Sequence, residues 1–143
     1  MAATREQAMT ALLAVLNACG SFKLVSRRNR SPESIPLAQC PAAFLLSESD
    51  EYEDRAPLPQ VRALMVSAVF YNDVGTDQNA IPSVVINQAL DALDAALAPM
   101  GPSGFFTLGG LVDSVKIVGR IERVDGAKTG RSMASVPIKI TLP

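Results

Sequence analysis

The sequence predicts an α+β domain: a single unit over residues 1–143 with a mostly antiparallel mixed sheet, two helices packed on one face of it, and a long C-terminal hairpin. Three observations lead there. Two segments, near residues 5–19 and 82–98, repeat apolar residues every three or four positions. The segments between and after them are strand-length apolar runs or strict alternations. The chain has 143 residues, 48% of them apolar, which suits one hydrophobic core, and no linker divides it.

The elements follow in order. Thr4 with Gln7 is a capping-box pair. Met9, Leu12, Leu13 and Leu16 then form one apolar face, and Gly20 is a natural stop, giving a helix over 5–19. Residues 22–26 read as a short strand with Phe22 and Leu24 on one face. Residues 27–39 are polar and punctuated by Pro32 and Pro36, a loop. Residues 41–46 make a second, more buried strand, followed by an acidic run read as a second long loop and broken by Pro57 and Pro59. Residues 61–71 are apolar enough for a central strand, and 72–80 form a loop. Pro82 and Ser83 open the second helix. Its stripe is Ile86, Leu90, Leu93 and Leu97, its outer face Asn87, Asp91 and Asp94, and its stop Pro99 and Gly101. A short strand over 105–108 precedes Gly109 and Gly110. Val115, Ile117 and Ile121 alternate with Lys116, Arg120 and Glu122; after a turn at Asp125-Gly126, Ala134, Val136, Ile138, Ile140 and Leu142 alternate with Ser135, Lys139 and Thr141. That pair is the C-terminal hairpin, and Pro137, which lacks an N–H, places its strand at an edge or a bulge. Two helices cover one side of such a sheet, so the other side meets water or another subunit.

Composition excludes several functions. The chain has no His, so histidine catalysis and the usual zinc–histidine sites are out. Thirteen basic residues against fourteen acidic ones give a net charge of −1, which is no footprint for nucleic acid or an anionic membrane. Cys19 and Cys40 are too few for a disulfide framework or a metal cage and read as buried thiols. Residues 9–16 imitate the middle of a signal peptide and 16–19 a lipoprotein box, but Glu6 offsets Arg5 and Asn17 suits such a site poorly. No apolar stretch reaches the ~20 residues of a membrane span.

No catalytic, cofactor or metal residues emerge from the motifs. The glycines at 101, 104, 109 and 110 follow a helix and precede strands, whereas phosphate-cradling glycines stand between a strand and a helix. Asp73 and Asp77 lack the closing Glu of a calcium loop and read as turn residues. Asp91 and Asp94 lie opposite the leucine stripe, on a solvated face. Two charge clusters remain: Arg27, Arg28 and Arg30, and Glu48, Asp50, Glu51, Glu53 and Asp54. The arginines lack the aromatic partners of a nucleic-acid site. These eight residues are the candidate subunit or partner interface, each cluster on a long loop, and charge complementarity of this kind fixes register between copies.

Several phrases occur in a telling order. The N-terminal helix leads to a strand, the arginines and a proline-bearing loop; then come Pro41-Ala-Ala-Phe-Leu-Leu46, the acidic run and the 61–71 strand. The 86–97 helix, Thr107-Leu-Gly-Gly-Leu-Val112, Val118-Gly-Arg-Ile121, Asp125-Gly126 and Val136-Pro-Ile-Lys-Ile140 follow. Over nearly its whole length the chain resembles the tail terminator proteins of long-tailed bacteriophages, the minor tail protein U group. The resemblance implies a virion structural protein without enzymatic activity or cofactor, made in the host cytoplasm and located at the tail neck. Its subunits would form a homohexameric ring that caps the head-proximal end of the tail tube and stops polymerisation of the major tail tube protein. That ring would offer a surface to a head-completion or connector protein, with DNA passing through its bore and no membrane involved. On this reading residues 48–54 line the bore or meet Arg27, Arg28 and Arg30 of a neighbour. A head-side connector or stopper of the neck, and from another class a small ligand-binding α+β domain, are the competing readings.

Overall fold

The computed structural model describes residues 3–31, 34–99, 104–125 and 129–143. The elements are α1 (Arg5–Ala18), β1 (Leu24–Ser26), β2 (Ala42–Arg55), β3 (Leu58–Asp73), α2 (Ser83–Ala96), β4 (Ser114–Ile117), β5 (Glu122–Val124) and β6 (Arg131–Leu142), with a short 3-10 turn at Leu37–Gln39. The six strands form one sheet in the order β1-β2-β3-β6-β4, and β5 also pairs with β6. Only β1 runs parallel to its neighbour; every other pairing is antiparallel. The fold is the single α+β domain, with a mixed, mostly antiparallel sheet, that the sequence predicts.

Both helices lie on one face. α1 starts with the expected capping box: the Thr4 hydroxyl accepts from the Gln7 N–H at 3.1 Å, and the Gln7 side chain accepts from the Thr4 N–H at 2.9 Å. Its apolar side sends Ala8, Met9, Leu12 and Leu16 inward. α2 buries Ile86, Ala89 and Leu93, with Leu97 just beyond it and Leu90 half-buried beside them. Together they meet Leu64, Val66, Ala68 and Phe70 of β3 and the even-numbered residues 134–142 of β6. Full burial of each such Leu, Ile or Phe side chain contributes roughly 1.5–3 kcal/mol, so this layer supplies most of the driving force. Phe22 precedes β1 and packs its ring 4.7 Å from that of Phe70.

The second face is not bare throughout. Ile35 and Cys40, from the chain between β1 and β2, fold onto Ala42, Phe44 and Tyr71, flanked by Val69 and Met133. The 27–39 loop thus gives half of that face a small core of its own. Among the described residues, the half nearer the β2–β3 turn carries no such cover: Met65, Pro137, Lys139 and Thr141 are only partly buried there.

Several expectations are corrected. The acidic run is no loop: β2 continues through it to Arg55, turns at residues 56–57 and pairs back along β3 from Leu58. A chain crowded with Asp, Glu and Ser has low strand propensity, but in-register pairing along β3 overrides it. Residues 105–108 are no strand: Phe105 makes one isolated bridge, 106 and 107 are irregular, and the chain then enters a turn in which Leu108, Gly109 and Gly110 take positive φ. The upstream arm of the C-terminal hairpin is split into β4 and β5. Pro137 does not mark an edge, since β6 lies between β3 and β4. Its carbonyl accepts from Val118 N–H at 3.0 Å, so its N-side faces the gap between β4 and β5, where no ladder donor is required. Cys40 is buried, but Cys19 is only half-buried. The assignments at Pro32, Gly101 and Gly126 fall outside the described residues.

Candidate assembly surface

The outer half of β2 and the start of β3 form a two-stranded arm. Residues 47–60 are exposed throughout, whereas residues 42–45, at the other end of β2, are buried. β1 flanks β2 only at Ala42, Ala43 and Phe44. Beyond Phe44, the edge of β2 that faces away from β3 carries no backbone hydrogen bond to any other described element. β6 reaches along β3 only as far as Arg62, so among the described residues the tip of the arm has no third strand.

A register shift between Ser47 and Ser49 sets the arm's chemistry. The extra residue, Glu48, bulges out of the ladder and moves the following residues to alternate faces. Asp50 and Tyr52 then lie on the helix side, opposite Leu64 and Arg62; Glu51 and Glu53 lie on the other side, opposite Ala63 and Val61. On the helix side Arg5 clamps the arm to α1: its Nε donates to Asp50 Oδ2 at 2.7 Å and its Nη2 to the Tyr52 hydroxyl at 2.6 Å. The Asp50 carboxylate, first by hydrogen bonding and then by its charge, pushes the Arg5 guanidinium further up from its already high pKa. On the other side Glu51 and Glu53 border a shallow groove of about 330 Å³ with Val61, Ala63 and Lys139. At the tip the Asp54 carboxylate accepts from the Ala56 N–H at 3.2 Å, and the Arg55 guanidinium donates to Pro59 O at 3.0 and 3.2 Å.

The arginine cluster sits just past β1. Arg27 pairs with Glu6 of α1, and that guanidinium, mainly through its hydrogen bond, holds the Glu6 carboxyl below its ordinary range. Arg28 and Arg30 are exposed; the Arg28 N–H donates to Ser26 Oγ at 3.0 Å, and Arg30 Nη1 reaches Gln39 Oε1 at 3.4 Å. The fold thus brings the five acidic candidates onto one arm. Among the described residues no ion pair joins Arg27, Arg28 or Arg30 to any of them, and none is formed by Arg28, Arg30, Glu48, Glu51 or Glu53. Arg5, Tyr52 and Arg55, which organise the arm, were not legible as site residues. Their only sequence signal is the length match of two segments about the Ala56-Pro57 turn.

Asp73 and Asp77 act as turn residues. Asp73 Oδ1 accepts from Gly75 N–H at 2.8 Å and Asp77 Oδ1 from Asn79 N–H at 3.0 Å. Among the described residues no three His, Cys, Asp or Glu side chains gather as a metal ion would need, and no helix is long and apolar enough to cross a membrane.

No family model matches the chain. No curated protein matches it. Among solved structures, a chain from "Virion of native gene transfer agent (GTA) particle" overlays 90% of this chain and 84% of its own at 11% identity and a TM-score of 0.48. A likeness of that size carries no functional argument.

Proposed function

We propose that the protein is a virion structural subunit of the phage tail neck, a tail terminator whose ring caps the head-proximal end of the tail tube. In this reading the ring is a homohexamer that halts addition of the major tail tube protein and presents the opposite surface to a head-completion or connector protein. It carries out no catalysis, and DNA passes through its bore without sequence-specific contact. The sequence resemblance supplies the family. The observation that carries the assembly part is the β2–β3 arm. An isolated two-stranded ribbon gains little stability in water, and this one has an open edge and both faces exposed at its tip. Such an element acquires a burial partner when another chain meets it. A ring requires heterologous contacts, in which two different patches meet and the rotation closes; the acidic arm and the basic segment after β1 are two such patches. A net charge of −1 also suits a channel through which polyanionic DNA must slide.

Electron microscopy of a lysate from a phage with a stop codon in this gene tests the reading. Tubes of uncontrolled length beside full, tailless heads are expected. Tails of normal length that fail to join heads would assign the protein to the head side of the neck. Intact infectious particles would overturn the proposal.

A further inference from the structure

We propose that the open edge of β2 receives, by strand addition, residues 26–30 of a second copy of this chain, with Arg28 and Arg30 set against Glu51 and Glu53. This rests on the ring reading and specifies the contact that closes it.

The edge is a template of backbone donors and acceptors. Among the described residues, no strand lies beside the outward N–H and C=O groups of β2 from residue 45 to residue 55. Edges of this kind pair with extended chain, the backbone supplying affinity and alternate side chains supplying selectivity. β1 already occupies the same edge at Ala42–Phe44, so an added strand would extend a line of pairing that this chain begins and abandons. Just past that point Arg27 pairs with Glu6 on α1.

Charge selects the occupant. Pairing of two β2 edges with each other is disfavoured, since it would lay one run of carboxylates, Glu48 to Asp54, along another, and like charges across a ladder are destabilising. The chain's densest cationic segment, with arginines at 27, 28 and 30, has the opposite sign. Arg28 and Arg30 are two residues apart, as are Glu51 and Glu53. In extended chain each pair therefore shares one face, at a spacing of roughly 6.6–6.8 Å. Arg28 and Arg30 form no ion pair among the described residues, and neither do Glu51 and Glu53. The contact is not self-complementary: the edge of one copy takes the segment of the next. That favours a ring over a two-fold dimer.

The test titrates the isotope-labelled full chain with a synthetic peptide of residues 24–31, Leu-Val-Ser-Arg-Arg-Asn-Arg-Ser, to millimolar concentration and follows backbone amides by NMR. Saturable shifts confined to residues 45–55 and weakened by salt are expected. The double variant Glu51→Arg, Glu53→Arg should bind roughly tenfold more weakly, with its spectrum confirming an intact fold. A peptide with Glu at its three arginine positions should give no shift on the wild-type chain. Absence of saturable shifts, shifts centred elsewhere, or equal binding of the charge-reversed peptide would overturn the proposal. A peptide that fails to bind, with overlong tubes in the stop-codon lysate, removes strand addition and leaves the terminator reading. Binding alongside intact particles in that lysate removes the terminator reading and leaves strand addition.

Discussion

Glu6 and Arg5 are adjacent on the first turn of α1 and engage the two charge clusters separately, Glu6 with Arg27 and Arg5 with Asp50. Both pairs are largely exposed, so each adds little stability and fades with salt. Their effect is to aim the chain leaving β1 and to seat the arm. The Glu6 pair has a defined pH signature. Its carboxyl titrates below the ordinary 4.5, chiefly through the hydrogen bond from Arg27. A carboxyl whose folded value is lowered contributes stability that is complete above its unfolded value and is lost as pH falls through the folded one. The stability difference between wild type and Glu6→Gln should therefore be larger at about pH 7 than at a pH well below the ordinary 4.5, where protonation removes it. Urea denaturation of both proteins at the two pH values checks it; a difference that persists in acid would mean that the glutamine is felt through packing instead.

At the scale of elements, β2 and β3 each join two environments. Residues 64–70 of β3 lie between β2 and β6 and, at alternate positions, under both helices, while its first residues belong to the exposed arm. Opening the arm exposes almost no apolar surface, whereas opening the centre of β3 exposes the main core. Amide exchange should divide accordingly. Amides of residues 49–55, 58, 60 and 61 should exchange by local opening, orders of magnitude faster than those of 64–70, 134–136 and 138–140, which follow global unfolding. Hydrogen–deuterium exchange with peptide-level readout checks this. Uniform protection along both strands would show the arm to be part of the cooperative core. The opposite end of the sheet is closely packed at the Gly75–Gly130 contact. Gly130, at φ +76°, lies where a Cβ would come within 2.8 Å of Gly75 O, and its own carbonyl accepts from Val74 N–H at 2.9 Å.

For the whole molecule, the arrangement of charge makes assembly directional. A chain carrying Glu51→Arg and Glu53→Arg presents basic groups on both contact patches; one carrying Arg28→Glu and Arg30→Glu presents acidic groups on both. Under conditions in which the wild-type chain forms rings, each variant alone should fail to do so. Their equimolar mixture should form rings of alternating copies, and the chain with all four changes should assemble by itself. Native mass spectrometry reads the composition directly, and an alternating ring closes only with an even number of subunits. Assembly of either variant alone would rule out these charges as determinants of closure.

The helices, the central place of β3, the core-facing positions of β6 and the class of fold were determined by local pattern. Capping chemistry and the three- and four-residue spacing act within one element, and the alternation of β6 from Ala134 to Leu142 reports burial on a single face. The order of the strands, the burial of Ile35 and Cys40 on the second face, and the role of the acidic run were decided only in three dimensions. Residues 47–55 have no apolar period because neither of their faces reaches the core, so nothing local marks them as a strand. Pairing with β3 makes them one, and pairing is a property of residues that lie far apart in the chain. The eight candidate interface residues were readable as charge, but their division was not. The bulge at Glu48 sends Asp50 toward Arg5 and turns Glu51 and Glu53 to the opposite face, because one extra residue in a ladder reverses the facing of every side chain beyond it.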